Sequence, residues 1–318
     1  FGRGRSLHPQ LAYCPTGALA EKVPAWNEGV RAHRAITTIC PYCGCGCQLD
    51  LHVKDGQVVT VGSNFDGPAN RGSLCAKGRF GFQFIHSPDR LTMPLIREGS
   101  GFREATWEEA LDLVAARLRE IAARHGADAI GVAASAKATN EENYLLQKLA
   151  RAVLGTNNVD HCARLCHAPT GTALLSAFGS PAGTNSFTDL EEAEALLVVG
   201  SNTTEQHPIA ALPMKRLVAR GVPLIVVDPR RIELARLATV HLAIRPGTDL
   251  AVLNGMAHVI LEEGLWDRTF VQDRTEGFEA MREMARRYPP EVAASIAGID
   301  PELLRRAKDV VLNAQAHQ

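Results

Sequence analysis

Four cysteines constrain the backbone of this chain more tightly than anything else in it. Three lie in Cys40-Pro-Tyr-Cys43-Gly-Cys45-Gly-Cys47, and the fourth in Leu74-Cys75-Ala-Lys77-Gly-Arg79. Counting Cys40, Cys43, Cys47 and Cys75, the spacing is C-x2-C-x3-C with a fourth cysteine after 27 further residues. A tight three-cysteine loop closed by a distant fourth suits a cubane [4Fe–4S] cluster. Gly44 and Gly46 let the backbone curl and aim its N–H groups at the sulfurs. Cys45 is surplus to the count and is expected to turn away from the metal. A zinc ribbon is the alternative, but it ordinarily brings two C-x2-C knuckles, and the second half here offers only Cys75. A disulfide framework fits a large chain, cysteine-poor outside this motif, less well.

A net charge of -1 over 318 residues carries no basic excess that would point to nucleic acid. The most apolar run, Ala193 to Gly200, is strand-sized and interrupted by Glu194, so no membrane span is expected. The chain opens on Phe1 and is expected to be a segment of something longer. Cys14-Pro15 looks like the last cysteine of a bacterial ferredoxin run, whose partners would lie upstream. Residues 21–35 read as a linker.

After Cys47, alternating apolar positions flank Asp55-Gly56, which predicts a hairpin. The cluster would sit on a small β-rich cap, with Cys75 returning on a loop. Lys77, just past the fourth ligand, is either a solvated lysine or a cation beside the cluster. From Thr106 the pattern changes. Thr106-Trp-Glu-Glu109 predicts a capping box, and Leu111, Val114, Leu118 and Ile121 share one face of a helix stopped by Gly126. A short strand is expected over 129–133, then a helix capped by Asn140 and ending at Gly155. Apolar strands at 195–200, 223–228 and 240–244 alternate with helices near 209–220 and 250–263. That alternation predicts a parallel sheet covered on both faces. The tail from Phe278 reads as helical, with Asp300-Pro301 opening its last helix.

In such sheets ligands bind beyond the carboxyl ends of the strands. Three loops there are polar: Gly200-Ser-Asn202-Thr-Thr-Glu205, Asp228-Pro-Arg230-Arg231 and Arg245-Pro-Gly247-Thr-Asp249. Carboxylates suit ribose hydroxyls or a guanine edge, while Arg and glycine loops suit a pyrophosphate. Ordinary turn chemistry explains any one of them alone, and no G-x-G-x-x-G follows a strand. A last stretch, Asp160-His161-Cys162-Ala-Arg164-Leu-Cys166-His167-Ala-Pro169, holds two Cys and two His within seven residues. Inert buried cysteines, a zinc site, or a reactive Cys166 with His167 as its acid–base neighbour all fit that spacing.

Taken together, several of these motifs resemble the catalytic subunit of molybdenum- or tungsten-dependent formate dehydrogenases. They are the cluster motif, Cys75-Ala-Lys77-Gly-Arg79-Phe-Gly, Thr139-Asn-Glu-Glu-Asn-Tyr, Gly155-Thr-Asn-Asn-Val-Asp-His-Cys-Ala-Arg-Leu-Cys-His-Ala-Pro, Asp228-Pro-Arg-Arg and Arg274-Thr-Glu-Gly-Phe278. The resemblance runs from about residue 37 to the end, in the family's order. It implies that Cys40, Cys43, Cys47 and Cys75 hold a [4Fe–4S] cluster. Cys166 takes the place of the metal-ligating selenocysteine or cysteine, His167 handles the proton, and Lys77 lies between cluster and pterin. Gly200, Asn202, Glu205, His207, Asp228, Arg230, Gly247 and Asp249 would hold the molybdopterin guanine dinucleotides.

The implied fold is α/β: a small β-rich [4Fe–4S] cap at 37–92, followed by parallel-sheet, Rossmann-like domains. Residues 93–160 would begin one α/β domain, completed by sequence beyond this chain. Residues 161–318 would form the dinucleotide-binding domain, and residues 1–36 a ferredoxin-like remnant and linker. The implied reaction is reversible two-electron oxidation of formate to CO2. Electrons would leave through the cluster to iron–sulfur and flavin subunits and on to NAD, in the cytoplasm. The family's formate-positioning arginine lies beyond this segment, so the segment alone is expected to be incomplete. Two alternatives stay open: a nitrate reductase-like relative, and a non-catalytic electron-transfer subunit like the large subunit of NADH dehydrogenase.

Overall fold

The computed structural model describes residues 34–315. The Cys14-Pro15 remnant and most of the expected linker lie outside the described residues. Two compact units emerge. One runs to Phe82 and resumes at Asn185, and the other is Gln83–Thr184.

The first unit opens with an antiparallel meander of β1 (Arg34–Ile39), β2 (Gln48–Lys54) and β3 (Gln57–Ser63). Asp55 (φ 50°) and Gly56 (φ 77°) both take positive φ, as a two-residue type I′ hairpin turn requires. Strand β1 begins inside the stretch read as linker, because Arg34 to Ile39 pair residue by residue with Val53 to Gln48. Such pairing is a long-range property that a local pattern does not announce. A short helix, α1 (Ala76–Phe80), starts directly after Cys75.

The second unit begins with the hairpin β4 (Leu95–Glu98) and β5 (Gly101–Glu104) and the helix α2 (Trp107–His125). The Thr106 hydroxyl accepts the Glu109 N–H, and Gly126 at φ 85° ends the helix. Leu111 and Val114 are nonetheless exposed among the described residues. The helical period is legible, but it does not say what covers the face. The strand expected over 129–133 shrinks to β6 (Val132–Ala133), after a tight turn over Ala127–Ala129. Helix α3 (Asn140–Lys148) continues as a π-helical turn to Leu154 and closes on Gly155. Its cap is Thr139 rather than the expected Asn140. The Thr139 hydroxyl accepts from Glu142 N–H (3.2 Å), and Thr139 N–H donates back to the Glu142 carboxylate (2.6 Å). Strand β7 (Val159–Asp160) pairs in parallel with β6, and α4 (Ala163–Cys166) and α5 (Ala168–Phe178) follow. The units therefore part at 184/185 rather than at 160/161.

The first unit then resumes with β8 (Leu196–Val199), α6 (Thr203–Gln206), α7 (Pro208–Ala219), β9 (Leu224–Val227), α8 (Glu233–Leu237) and β10 (Val240–Leu242). Helices α9 (Asp249–Glu262), α10 (Arg268–Arg274), α11 (Phe278–Ala285), α12 (Pro290–Ala297) and α13 (Pro301–Gln315) complete it. The strands form a parallel sheet in the order β10-β9-β8. Central β9 is buried along its whole length. Alternate residues point to opposite faces. Ile225 and Val227 pack on Val252, Met256, Ala293 and Leu304, whereas Leu224 and Val226 pack on Leu217, Leu234 and Ala235. An unbroken apolar strand is what a sheet covered on both faces demands. Leu242, fully buried in the first of these clusters, is the place to test this core. Leu242→Ala is expected to destabilise the fold by about 2–5 kcal/mol, read as a lowered urea midpoint with unchanged slope.

Candidate functional site

Strand β1 delivers the chain to Cys40, and the N–H of Cys40 donates to the Cys47 carbonyl at 2.8 Å, closing the loop between them. Gly46, at φ 67°, makes the last bend. Cys40, Cys43, Cys47 and Cys75 line one small pocket, together with Tyr42, Leu74, Lys77, Gly78, Pro208 and Ile209. Cys45 does not line it. That side chain is 2% exposed and packs into the apolar cluster of Leu49, Val61, Leu74, Ile209 and Ala210.

Among the described residues, no three Cys, His, Asp or Glu side chains converge on a single ion position. The four sulfurs surround a space instead, which fits a multi-iron body. Their electrostatics fit it too. The hydrogen bond to Cys45, then burial, pushes the Cys47 thiol well up, and burial raises Cys43. The Cys47 hydrogen bond holds Cys45 down at about 5, and the Ala210 N–H helps. Crowded sulfurs resist ionising together unless positive charge stands among them. An iron–sulfur core supplies that charge.

The arm that carries Cys75 is held by groups the sequence did not single out for this role. Buried Asn70 accepts from Gln48 N–H (2.9 Å) and donates to the carbonyls of Gln48 and Ser73 (3.0 Å each). Arg79 donates to Val61 O (3.1 Å) and Ser63 Oγ (2.7 Å), fastening α1 to β3. Tyr42 Oη donates to Gly81 O. The polar side chains were visible in the sequence, but, Ser73 apart, their partners lie 16 to 39 residues away.

Beyond the carboxyl ends of the parallel sheet's strands lie the expected loops, within the same unit. Gly200 (φ 58°) and Gly247 (φ 81°) turn the chain out of the sheet, and a Cβ on either would meet no atom within 4 Å. Asn202 is 6% exposed and Asp228 3%. The Asp228 carboxylate accepts Arg230 N–H at 2.8 Å, while the Arg230 guanidinium stands 3.8 Å away and faces solvent. Glu205 is exposed and Asp249 opens α9. Among the described residues, the hydroxyl of buried Thr204 finds no hydrogen-bond partner. A buried hydroxyl left without a partner is costly and marks a place a ligand can satisfy. Buried polar groups, open space over glycines and an orphaned hydroxyl together fit a nucleotide-bearing cofactor. His207 ends the same loop, at the break between α6 and α7, close enough to Cys45 to influence it electrostatically.

Cys166 and His167 belong to the second unit. Cys166 ends α4, and His167, at φ −147°, breaks the helix before α5 begins. Both Cys162 and Cys166 are exposed, so neither is the inert buried thiol that their spacing allowed. The His161 ring accepts the Ala163 N–H at 3.2 Å, and Arg164 pairs with Asp160. These contacts brace the turn and leave the Cys166 sulfur available.

The chain matches the molybdopterin oxidoreductase family over residues 90–300 and the molybdopterin oxidoreductase Fe4S4 domain over residues 34–87. It is 48% identical over 282 residues to the F420-dependent formate dehydrogenase subunit alpha of Methanocaldococcus jannaschii, covering 89% of this chain and 41% of that protein. It is 40% identical over 290 residues to formate dehydrogenase H of Escherichia coli, covering 89% and 40%. The chain thus spans about two fifths of the length of these relatives. Among solved structures, the acetylene hydratase from Pelobacter acetylenicus superposes with a TM-score of 0.73 at 28% identity, over 86% of this chain and 38% of that one. No helix among the described residues is long and apolar enough to cross a membrane.

The pocket lining separates Cys45 from its neighbours, and this is testable. Cys45→Ala is expected to retain about four irons per polypeptide. Cys75→Ala, which removes a ligand, should lose most of the iron and the visible absorption of the cluster. Iron analysis and absorption spectra of both variants, purified without oxygen, make the comparison.

Proposed function

Given that this chain belongs to the molybdopterin oxidoreductase family, we propose that it is part of a formate dehydrogenase catalytic subunit. Formate is oxidised to CO2, reversibly, at a molybdenum or tungsten centre held by molybdopterin guanine dinucleotides. The observation that carries this reading is the pair Cys166-His167, whose exposed sulfur and adjoining imidazole sit where a helix breaks. Relatives named formate dehydrogenase subunit alpha and formate dehydrogenase H support it.

When bound, the molybdopterin-held metal supplies a two-electron acceptor for a reaction that removes two electrons and one proton from a C–H bond. The chain's own residues do the rest. Cys166 would bind the metal through sulfur, the ligand type a soft metal centre favours. His167, whose imidazole adjoins that sulfur along the chain, would hold and release the proton. Cys40, Cys43, Cys47 and Cys75 would hold an iron–sulfur cluster, which would supply one-electron chemistry when bound. Lys77, on the same short helix as the fourth ligand arm, sets a positive charge at the pocket wall. Gly200, Asn202, Glu205, Asp228, Arg230, Gly247 and Asp249 hold the dinucleotide, with Thr204 as an added donor. His207, nearer Cys45, acts on the cluster side.

Beyond the chain, we propose that electrons pass to iron–sulfur and flavin subunits and from them to NAD, in the cytoplasm. Residues 83–184 contribute the metal-ligand loop and residues 185–318 the dinucleotide loops, with 34–82 as the cluster cap. The test is formate-dependent dye reduction by the anaerobically purified protein, together with its iron, molybdenum and tungsten content. Iron plus molybdenum or tungsten, with formate turnover, supports the reading. Reduced-dye oxidation by nitrate would assign the nitrate-type alternative. Iron without either metal would assign electron transfer alone. Cys166→Ala is expected to drop formate activity to background while the cluster spectrum persists. His167→Gln should slow turnover by about 10²–10⁴-fold with metal content intact.

A further inference from the structure

We propose that Tyr42 is a positioning residue for the iron–sulfur cluster, because its ring lines the pocket and its hydroxyl bonds the Gly81 carbonyl. The inference rests on the iron–sulfur reading of this pocket. Tyr42 lies between the ligands Cys40 and Cys43, so it moves with the three-cysteine loop. Gly81 closes the helix that Cys75 opens, and its N–H donates to Lys77 O at 2.8 Å. The last carbonyls of a helix have no partner within the helix. Tyr42 Oη supplies one to Gly81, at 2.5 Å and across 39 residues of sequence.

The fit is close enough to dictate residue type at both ends. A Cβ at position 81 would lie 2.5 Å from Tyr42 Oη and 2.5 Å from Lys77 O, inside contact distance for both. Only glycine admits the tyrosine. Asn70 fixes the same arm ahead of Cys75, through Gln48 beside Cys47. Cys75 is thus held from both sides, and the Tyr42 tie is the one made by the cysteine loop's own aromatic. An iron whose thiolate can swing away opens to water and chelators. Holding the arm keeps that iron in place, and it also fixes the helix that carries Lys77.

Two variants test this. Tyr42→Phe keeps the ring and removes the hydroxyl, and Gly81→Ala displaces the hydroxyl by steric contact. Both are purified without oxygen beside the unaltered protein. Each is expected to contain four irons per polypeptide, as the unaltered protein does. A ferrous chelator should draw off the first iron about fivefold faster, the factor that losing one net hydrogen bond brings. With ferricyanide taking one electron per cluster, one ferrous ion leaves, and the remaining [3Fe–4S]+ is seen by electron paramagnetic resonance. That signal should rise faster in both variants, with thermal unfolding of Tyr42→Phe unchanged within a few degrees. Iron release at the unaltered rate in both variants overturns the proposal. Faster release that only tracks a lowered unfolding temperature overturns it too, since Tyr42 would then be a general fold contact. If the unaltered protein holds no iron–sulfur cluster, the reading of the pocket itself has failed, and that outcome is seen before any variant is made.

Discussion

Everything in the first unit answers to the crowding of cysteine sulfurs around one pocket. Sulfurs that raise one another's cost of ionisation make a poor packing element by themselves, and the surrounding chain compensates with rigid, well-bonded arms. The loop from Cys40 to Cys47 is closed by a backbone hydrogen bond, the arm to Cys75 is pinned by Asn70, Arg79 and Tyr42, and the start of α7 forms the far wall. Cys45, the cysteine without a place on the pocket, is buried where the cap packs against α7, among Leu49, Val61, Ile209 and Ala210. The cap and the parallel-sheet region are therefore one packed unit, and the pocket lies where they meet.

The parallel sheet imposes a second constraint. A strand buried on both faces, as β9 is, has no tolerance for polar residues along its length. Its polar chemistry is displaced to its carboxyl end, where Asp228 is buried but bonded to the backbone of Arg230. The same displacement leaves Asn202 and Thr204 after β8 and the Gly247 loop after β10. The loops after β8 and β9 thus present buried polar groups, and the loop after β10 adds an exposed glycine turn, an arrangement such sheets offer to nucleotides. Arg245, in the third loop, is engaged with the end of α12, where it bonds Ser295 O and crowds Gly298. It reads as a structural brace rather than a phosphate ligand.

Much of this was legible along the chain. Local rules sufficed for the Asp55-Gly56 turn, for the helices stopped by Gly126 and Gly155, and for the three strands of the parallel sheet, since each depends on residues within a few positions of one another. The convergence of Cys40, Cys43, Cys47 and Cys75 on one pocket was legible for a related reason, since the C-x2-C-x3-C spacing is itself local. The errors were of two kinds. Boundaries slipped by a residue where a cap is chosen by reciprocal bonds, as with Thr139 in place of Asn140. Whole relations were missed where the partner is distant, as with β1 against β2, or residues 161–184 grouped with the preceding unit.

By itself the sequence determined which cysteines come together at one pocket, that a doubly covered parallel sheet follows, and where its polar strand ends fall. These follow from spacing and periodicity, which are local. Only the tertiary structure decided that Cys45 turns into the core and that Asn70, Arg79 and Tyr42 fasten the arm carrying Cys75. Those are contacts between segments far apart in the chain. Their geometry depends on how the cap packs against α7, and no window along the sequence contains it.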